Sequence, residues 1–177
     1  FIGLLSSPLL WHFLKDYQKQ RLLVFINPNM DPLGAGYTII QSKIAIGSGI
    51  LFGKGWLSGS QGQLHFLPES HTDFIFATWA EEHGFLGTLF LLVLYYLMIR
   101  KIFNISLSTN DKFGRLLGLG ICAMFTIQLF VNISMTLGLC PVVGLPLPLV
   151  SYGGSSLIMS FIALGIIANI SKTRLIF

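Results

Sequence analysis

Three stretches dominated by apolar residues, 74–99, 116–139 and 154–170, each supply about the 17 to 25 residues a helix needs to cross ~30 Å of hydrocarbon. They predict three complete transmembrane helices. The opening run, 1–14, is too short to cross and lacks an initiator Met, so it is expected to be the end of a further transmembrane helix in an N-terminally truncated chain. Between these lies 15–73, where the pattern breaks up. Turn formers crowd 27–36, with Asp31-Pro32 favouring a turn. Residues 37–52 are apolar but interrupted by Gln41, Ser42, Lys43, Gly47 and Gly49, which suits an interfacial or re-entrant helix. Glycines at 53, 55, 59 and 62 end it. The expected fold is an all-α polytopic membrane helix bundle in one membrane domain, 1–177, with 15–73 as a large external lid.

Polar positions inside the spans carry further information. At 100° per residue, Ala77, Ala80, Gly84 and Gly87 fall within about 40° of Asp73 around the helix. Small residues let helices approach, so this stripe is expected to face the bundle and carry Asp73 inward. Gly114 and Gly118 have the same small-residue spacing near the other end of the second span. Gln128, Asn132 and Thr136 recur at i, i+4, either as polar glue between helices or as ligand contacts. The segment 141–150 is hydrophobic, yet Pro141, Pro146, Pro148 and Gly144 forbid a regular helix. Irregular backbone at membrane depth must pack within protein or line a cavity. Ser151 or Ser155 is a candidate N-cap for the last span, whose glycine-rich start suits an anion.

Composition agrees. Hydrophobic residues make up 53% and charged residues 10%, and a mean hydropathy of +0.75 excludes an ordinary soluble domain and a disordered one. Lys and Arg at 100, 101, 112, 115, 172 and 174 place 100–115 and the C-terminus in the cytoplasm. The cation-free stretch 140–153 is then external. Lys15, Lys19, Arg21, Lys43 and Lys54 stay outside because long segments translocate largely regardless of charge, and their excess hints at an anionic ligand. The basic residues lie on both sides of a membrane, which argues against nucleic acid. Cys122 and Cys140 lack metal-ligand spacing and are expected to be small apolar fillers.

The densest chemistry sits where the first full span begins, at Leu67-Pro68-Glu69-Ser70-His71-Thr72-Asp73. A carboxylate at a membrane edge is costly unless paired, solvated or used, so Asp73 is the first candidate functional residue. Spacing alone leaves two readings open: a reactive carboxylate, or a helix-start charge favoured by the macrodipole with Ser70 reciprocating. Glu81, Glu82 and His83 further along are expected to pair with a neighbouring helix or to snorkel.

These motifs, with Asp31-Pro32-Leu33-Gly34-Ala35-Gly36-Tyr37, Gly53-Lys54-Gly55 and Pro146-Leu147-Pro148-Leu149-Val150-Ser151-Tyr152-Gly153-Gly154-Ser155, resemble the SEDS family of shape, elongation, division and sporulation proteins. Asp16-Tyr17-Gln18 and 41–49 resemble its elongation members more than its division members. The resemblance spans about Asp16 to Ser171. It implies a ten-helix membrane glycosyltransferase that polymerises lipid II, an undecaprenyl-pyrophosphate-linked donor, beside a class B penicillin-binding transpeptidase, with this chain covering the seventh helix's end through the tenth. The family's proposed catalytic aspartate corresponds to Asp73. Candidate substrate-binding residues are Lys43, Lys54, Ser151, Gly153, Gly154 and Ser155 for pyrophosphate, with Glu69 and His71 positioning the base or a metal. No cofactor is evident, though a divalent cation such as Mg2+ is compatible. The rival readings are a transporter of lipid-linked precursor, which needs no base, and a scaffold that only docks the transpeptidase.

Overall fold

A computed structural model describes residues 15–27, 31, 34–59, 67 and 69–173. The expected helix end over 1–14 lies outside them. Among the described residues there are five helices and no strand: α1 Asp16–Ile26, α2 Ala35–Ser48, α3 Ile75–Leu107, α4 Lys112–Thr136 and α5 Gly154–Thr173. The last three are long and apolar enough to cross a membrane. Their apolar surfaces meet where Ile102, Ile121, Phe125, Ala163 and Ile167 form a buried cluster. Cys122 is a filler in that cluster, and Cys140 is partly buried.

α3 differs from the expected 74–99 in two ways. It runs on to Leu107, so Arg100 and Lys101 belong to the helix, and the connection to α4 shrinks to 108–111. Asp111 makes that short turn workable by capping α4, its carboxylate accepting from Phe113 N at 3.3 Å and Gly114 N at 2.7 Å. α3 is also broken at Gly84, where φ is 65° and ψ −164°. That left-handed φ suits glycine, and a Cβ there would lie 2.3 Å from Gly53 N.

The break is stitched by the segment after α2. Phe85 N and Leu86 N donate to the carbonyls of Ile50 and Leu51, while Lys54 N and Gly55 N donate to those of Glu81 and Glu82. Backbone groups released by the interruption therefore find partners in the lid. Two pieces result, a short helix 75–83 and a trunk 85–107. The expected small-residue stripe faces inward: Ala77 and Ala80 are buried, and a Cβ on Gly49 would lie 2.0 Å from the Ala80 carbonyl. Lower down, Gly118 of α4 abuts Ser106 of α3.

The lid holds one helix, α2, over much of the expected 37–52, and also α1, which no clear periodicity announces. Gln18 caps the start of α1 by accepting from Lys15 N at 3.0 Å. Neither Ser151 nor Ser155 caps α5. Gly153 precedes the helix and accepts from Leu157 N at 3.0 Å, while Ser151 is drawn off by the site described next.

Candidate active site

Asp73 lies just outside α3, whose N-cap is Phe74, so it is not a first-turn carboxylate stabilised by the macrodipole. A tight turn holds it there. Thr72 N and Phe74 N both donate to the Glu69 carbonyl, at 3.1 and 3.3 Å, and Glu69 adopts φ 53° to close the turn. A left-handed conformation is uncommon for a side chain of this size and marks a constrained site. The Glu69 carboxyl thus shares the turn with Asp73, four residues on.

Three elements lock this turn from behind. Asn132 of α4, fully buried, donates from Nδ2 to the Asp73 carbonyl at 3.0 Å and to the Leu145 carbonyl at 2.7 Å. Ser151 donates to the Thr72 carbonyl at 2.7 Å and accepts from Leu147 N at 2.7 Å. Tyr152 N donates to the His71 carbonyl at 2.9 Å, and Tyr95 of α3 donates to the Pro148 carbonyl. The proline-rich segment is thus irregular but supplied with partners, as burial requires. Gly144, at φ 77°, leaves room for the acid: a Cβ there would sit 3.2 Å from Asp73 Oδ2.

Arg21 completes the surroundings. From α1 it reaches across and donates from Nη1 to the Val142 carbonyl at 2.7 Å. Burial holds the Asp73 carboxyl above the usual carboxylate range, and the Glu69 charge and hydrogen bond push the same way. The Arg21 charge pulls it back down.

The remaining candidates divide. His71, Ser151, Gly153 and Gly154 line one cavity of about 600 Å³, walled by Ile75, Leu149 and Leu157. Ser155 opens instead onto a smaller one of about 270 Å³ with Gln128, Ser156 and Ser160. Lys43 extends to Gly138, where a Cβ would sit 2.7 Å from its Nζ, beyond the C-terminus of α4. That end of a helix favours a cation. Lys54 Nζ lies 2.7 Å from Glu81 Oε1, in an ion pair whose carboxylate is buried. Arg21, Asn132, Gly144 and Glu81 are the residues that the motif leaves out. Asn132 had a signal, the polar stripe on α4, and Arg21 had only membership of the external cations.

An acid in a tied-down turn at the start of a long apolar helix, beside a cavity, with three helices long and apolar enough to cross a membrane, defines a polytopic membrane protein. Comparison gives the family. A model described as cell cycle protein, FtsW/RodA/SpoVE, matches residues 1–175, and the chain belongs to that family. It is 55% identical over 168 residues to peptidoglycan glycosyltransferase MrdB of Escherichia coli K12, covering 94% of this chain and 45% of that one. It is 46% identical over 162 residues to peptidoglycan glycosyltransferase RodA of Treponema pallidum, covering 92% and 37%. The fold matches a chain of a peptidoglycan synthase complex that coordinates polymerization and crosslinking, with TM-score 0.73 and 35% identity over 98% of this chain and 48% of that one. It also matches Thermus thermophilus rod shape determining protein RodA, with TM-score 0.58 and 40% identity over 70% and 38%. The chain spans less than half the length of these relatives.

Proposed function

We propose that this chain forms part of a peptidoglycan glycosyltransferase that polymerises lipid II into glycan strands during cell elongation, with Asp73 as general base. The observation that carries the proposal is the Asp73 turn of the family's motif, tied down by Asn132, Ser151 and Tyr152. Asp73 takes the proton from the acceptor sugar 4-hydroxyl. The hydroxyl oxygen bonds to the donor anomeric carbon, and the bond to undecaprenyl pyrophosphate breaks with its electron pair leaving on phosphate. A base whose pKa is raised toward working pH captures that proton better, and such assistance contributes on the order of 10² to 10⁴ in rate.

Glu69 shares the proton and positions the base, and the cavity lined by His71, Ser151, Gly153 and Gly154 takes part of the lipid-linked substrate. The two carboxyls could equally hold a divalent cation, although no third His, Cys, Asp or Glu joins them among the described residues. The distribution of Lys and Arg supports an external lid, with 100–115 and the C-terminus cytoplasmic. A class B penicillin-binding transpeptidase is the proposed partner, supported by the likeness to a synthase complex.

The test is polymer formation from lipid II by purified full-length protein carrying Asp73→Asn. Loss of polymer with an intact fold is expected, and near-normal polymer refutes the assignment. The break in α3 is also a feature of carriers. Lipid II movement that persists in the Asn variant, with no polymer from any preparation, would favour that second reading.

A further inference from the structure

The motif around Asp73 supplies acid but no fixed cation; of the two lysines singled out in the sequence, Lys54 is paired with Glu81, and Lys43 is exposed beside Gly138, past the end of α4. Arg21 is placed differently. Its anchor, the Val142 carbonyl, is two residues from Gly144, which abuts Asp73 Oδ2. The guanidinium is therefore fixed on the same wall that receives the acid. It is exposed, and among the described residues it enters neither of the ion pairs found, Lys19–Asp16 and Lys54–Glu81. A guanidinium carries five N–H donors, and its fork matches the oxygens of phosphate. Bonding one carbonyl aligns the fork while leaving most donors open.

We propose that Arg21 is a phosphate-binding residue of this site, anchored on Val142 so that its free N–H donors meet the pyrophosphate oxygens of a lipid-linked donor beside Asp73. The assignment rests on the glycosyltransferase reading. It explains why α1, a short polar helix, lies over the site at all. It also couples binding to proton transfer: the charge that holds phosphate favours the ionised form of the base. Among the described residues, three groups bear on Asp73. Glu69 comes from its own turn, Arg21 from α1 and the neutral Asn132 from α4, while the described residues of 141–150 carry no ionisable side chain.

Full-length protein with its transpeptidase, as wild type, Arg21→Gln, Arg21→Lys and the control Lys19→Gln, would be titrated with undecaprenyl pyrophosphate in neutral detergent by thermal shift. Repeating the titration with excess phosphatidylglycerol separates a headgroup site from a pyrophosphate site. Arg21→Gln should weaken binding by about tenfold or more, Arg21→Lys by less, and Lys19→Gln not at all. The acid limb of the polymerisation rate should move to higher pH in Arg21→Gln, a change that a purely structural role would not produce. Unchanged affinity in Arg21→Gln overturns the proposal, as does phosphatidylglycerol competing equally for the wild-type site. If Arg21→Gln fails to fold, Arg21→Lys decides: normal affinity overturns the proposal, and weaker affinity at an unchanged melting temperature upholds it. Polymer from Asp73→Asn alongside weak binding by Arg21→Gln sinks the base assignment and leaves this one standing.

Discussion

Lys54 Nζ sits 2.7 Å from Oε1 of Glu81, and the Glu81 side chain is wholly buried while that of Lys54 is 31% exposed. The pair closes the same break in α3 that the lid backbone stitches. Removing one partner strands a charge in a dry site, which costs about 3 kcal/mol or more when burial is complete. Lys54→Met should therefore lower the melting temperature of the purified protein sharply. Lys54→Met with Glu81→Leu should recover much of the loss, and a double variant no better than the single one would show that the pair does not hold the break.

Glu69 raises the pKa of Asp73 through its charge and its hydrogen bond. A general base works when ionised, so activity falls as pH drops through that pKa. Glu69→Gln removes the charge, lowers the Asp73 pKa and should carry the acid limb of the rate profile to lower pH. A profile measured from lipid II consumption checks the direction, and a shift to higher pH would contradict the pairing.

Asn132 serves two carbonyls at once, those of Asp73 and Leu145. Asn132→Leu should cost about 1 kcal/mol by removing both hydrogen bonds to part-buried acceptors. It should also depress kcat more than it raises KM, because the base loses its support. Single-turnover kinetics beside a thermal melt would separate the two effects.

At Gly144 the backbone disfavours a side chain, since φ is 77°, and an added carbon 3.2 Å from Asp73 Oδ2 would push the carboxylate aside. Gly144→Ala should cost about 1 kcal/mol of stability while greatly reducing polymer formation. A variant that melts early but polymerises normally would show that Gly144 does not shape the acid's surroundings.

Much of this architecture was legible because hydrocarbon thickness dictates helix length. The three spans follow from that, and the inward small-residue stripe from the helical period. Asp73 stood out by its chemistry at an apolar boundary. What could not be read depended on partners distant in the chain. Gly84 looks like a packing residue, and only the arrival of 49–55 makes it a break. Lys54 resembled a phosphate ligand until Glu81, 27 positions on, claimed it. Arg21 meets its carbonyl 121 residues away. α1 was missed because its apolar residues crowd one end and only Val24 is buried.

The seam at Gly84 has a mechanical corollary. Since Lys54 and Gly55 grip the short piece of α3 while Ile50 and Leu51 grip the trunk, the linker after α2 clasps both sides of the break. Any displacement of the lid is therefore shared between the nine-residue stub before the break and the trunk beyond it.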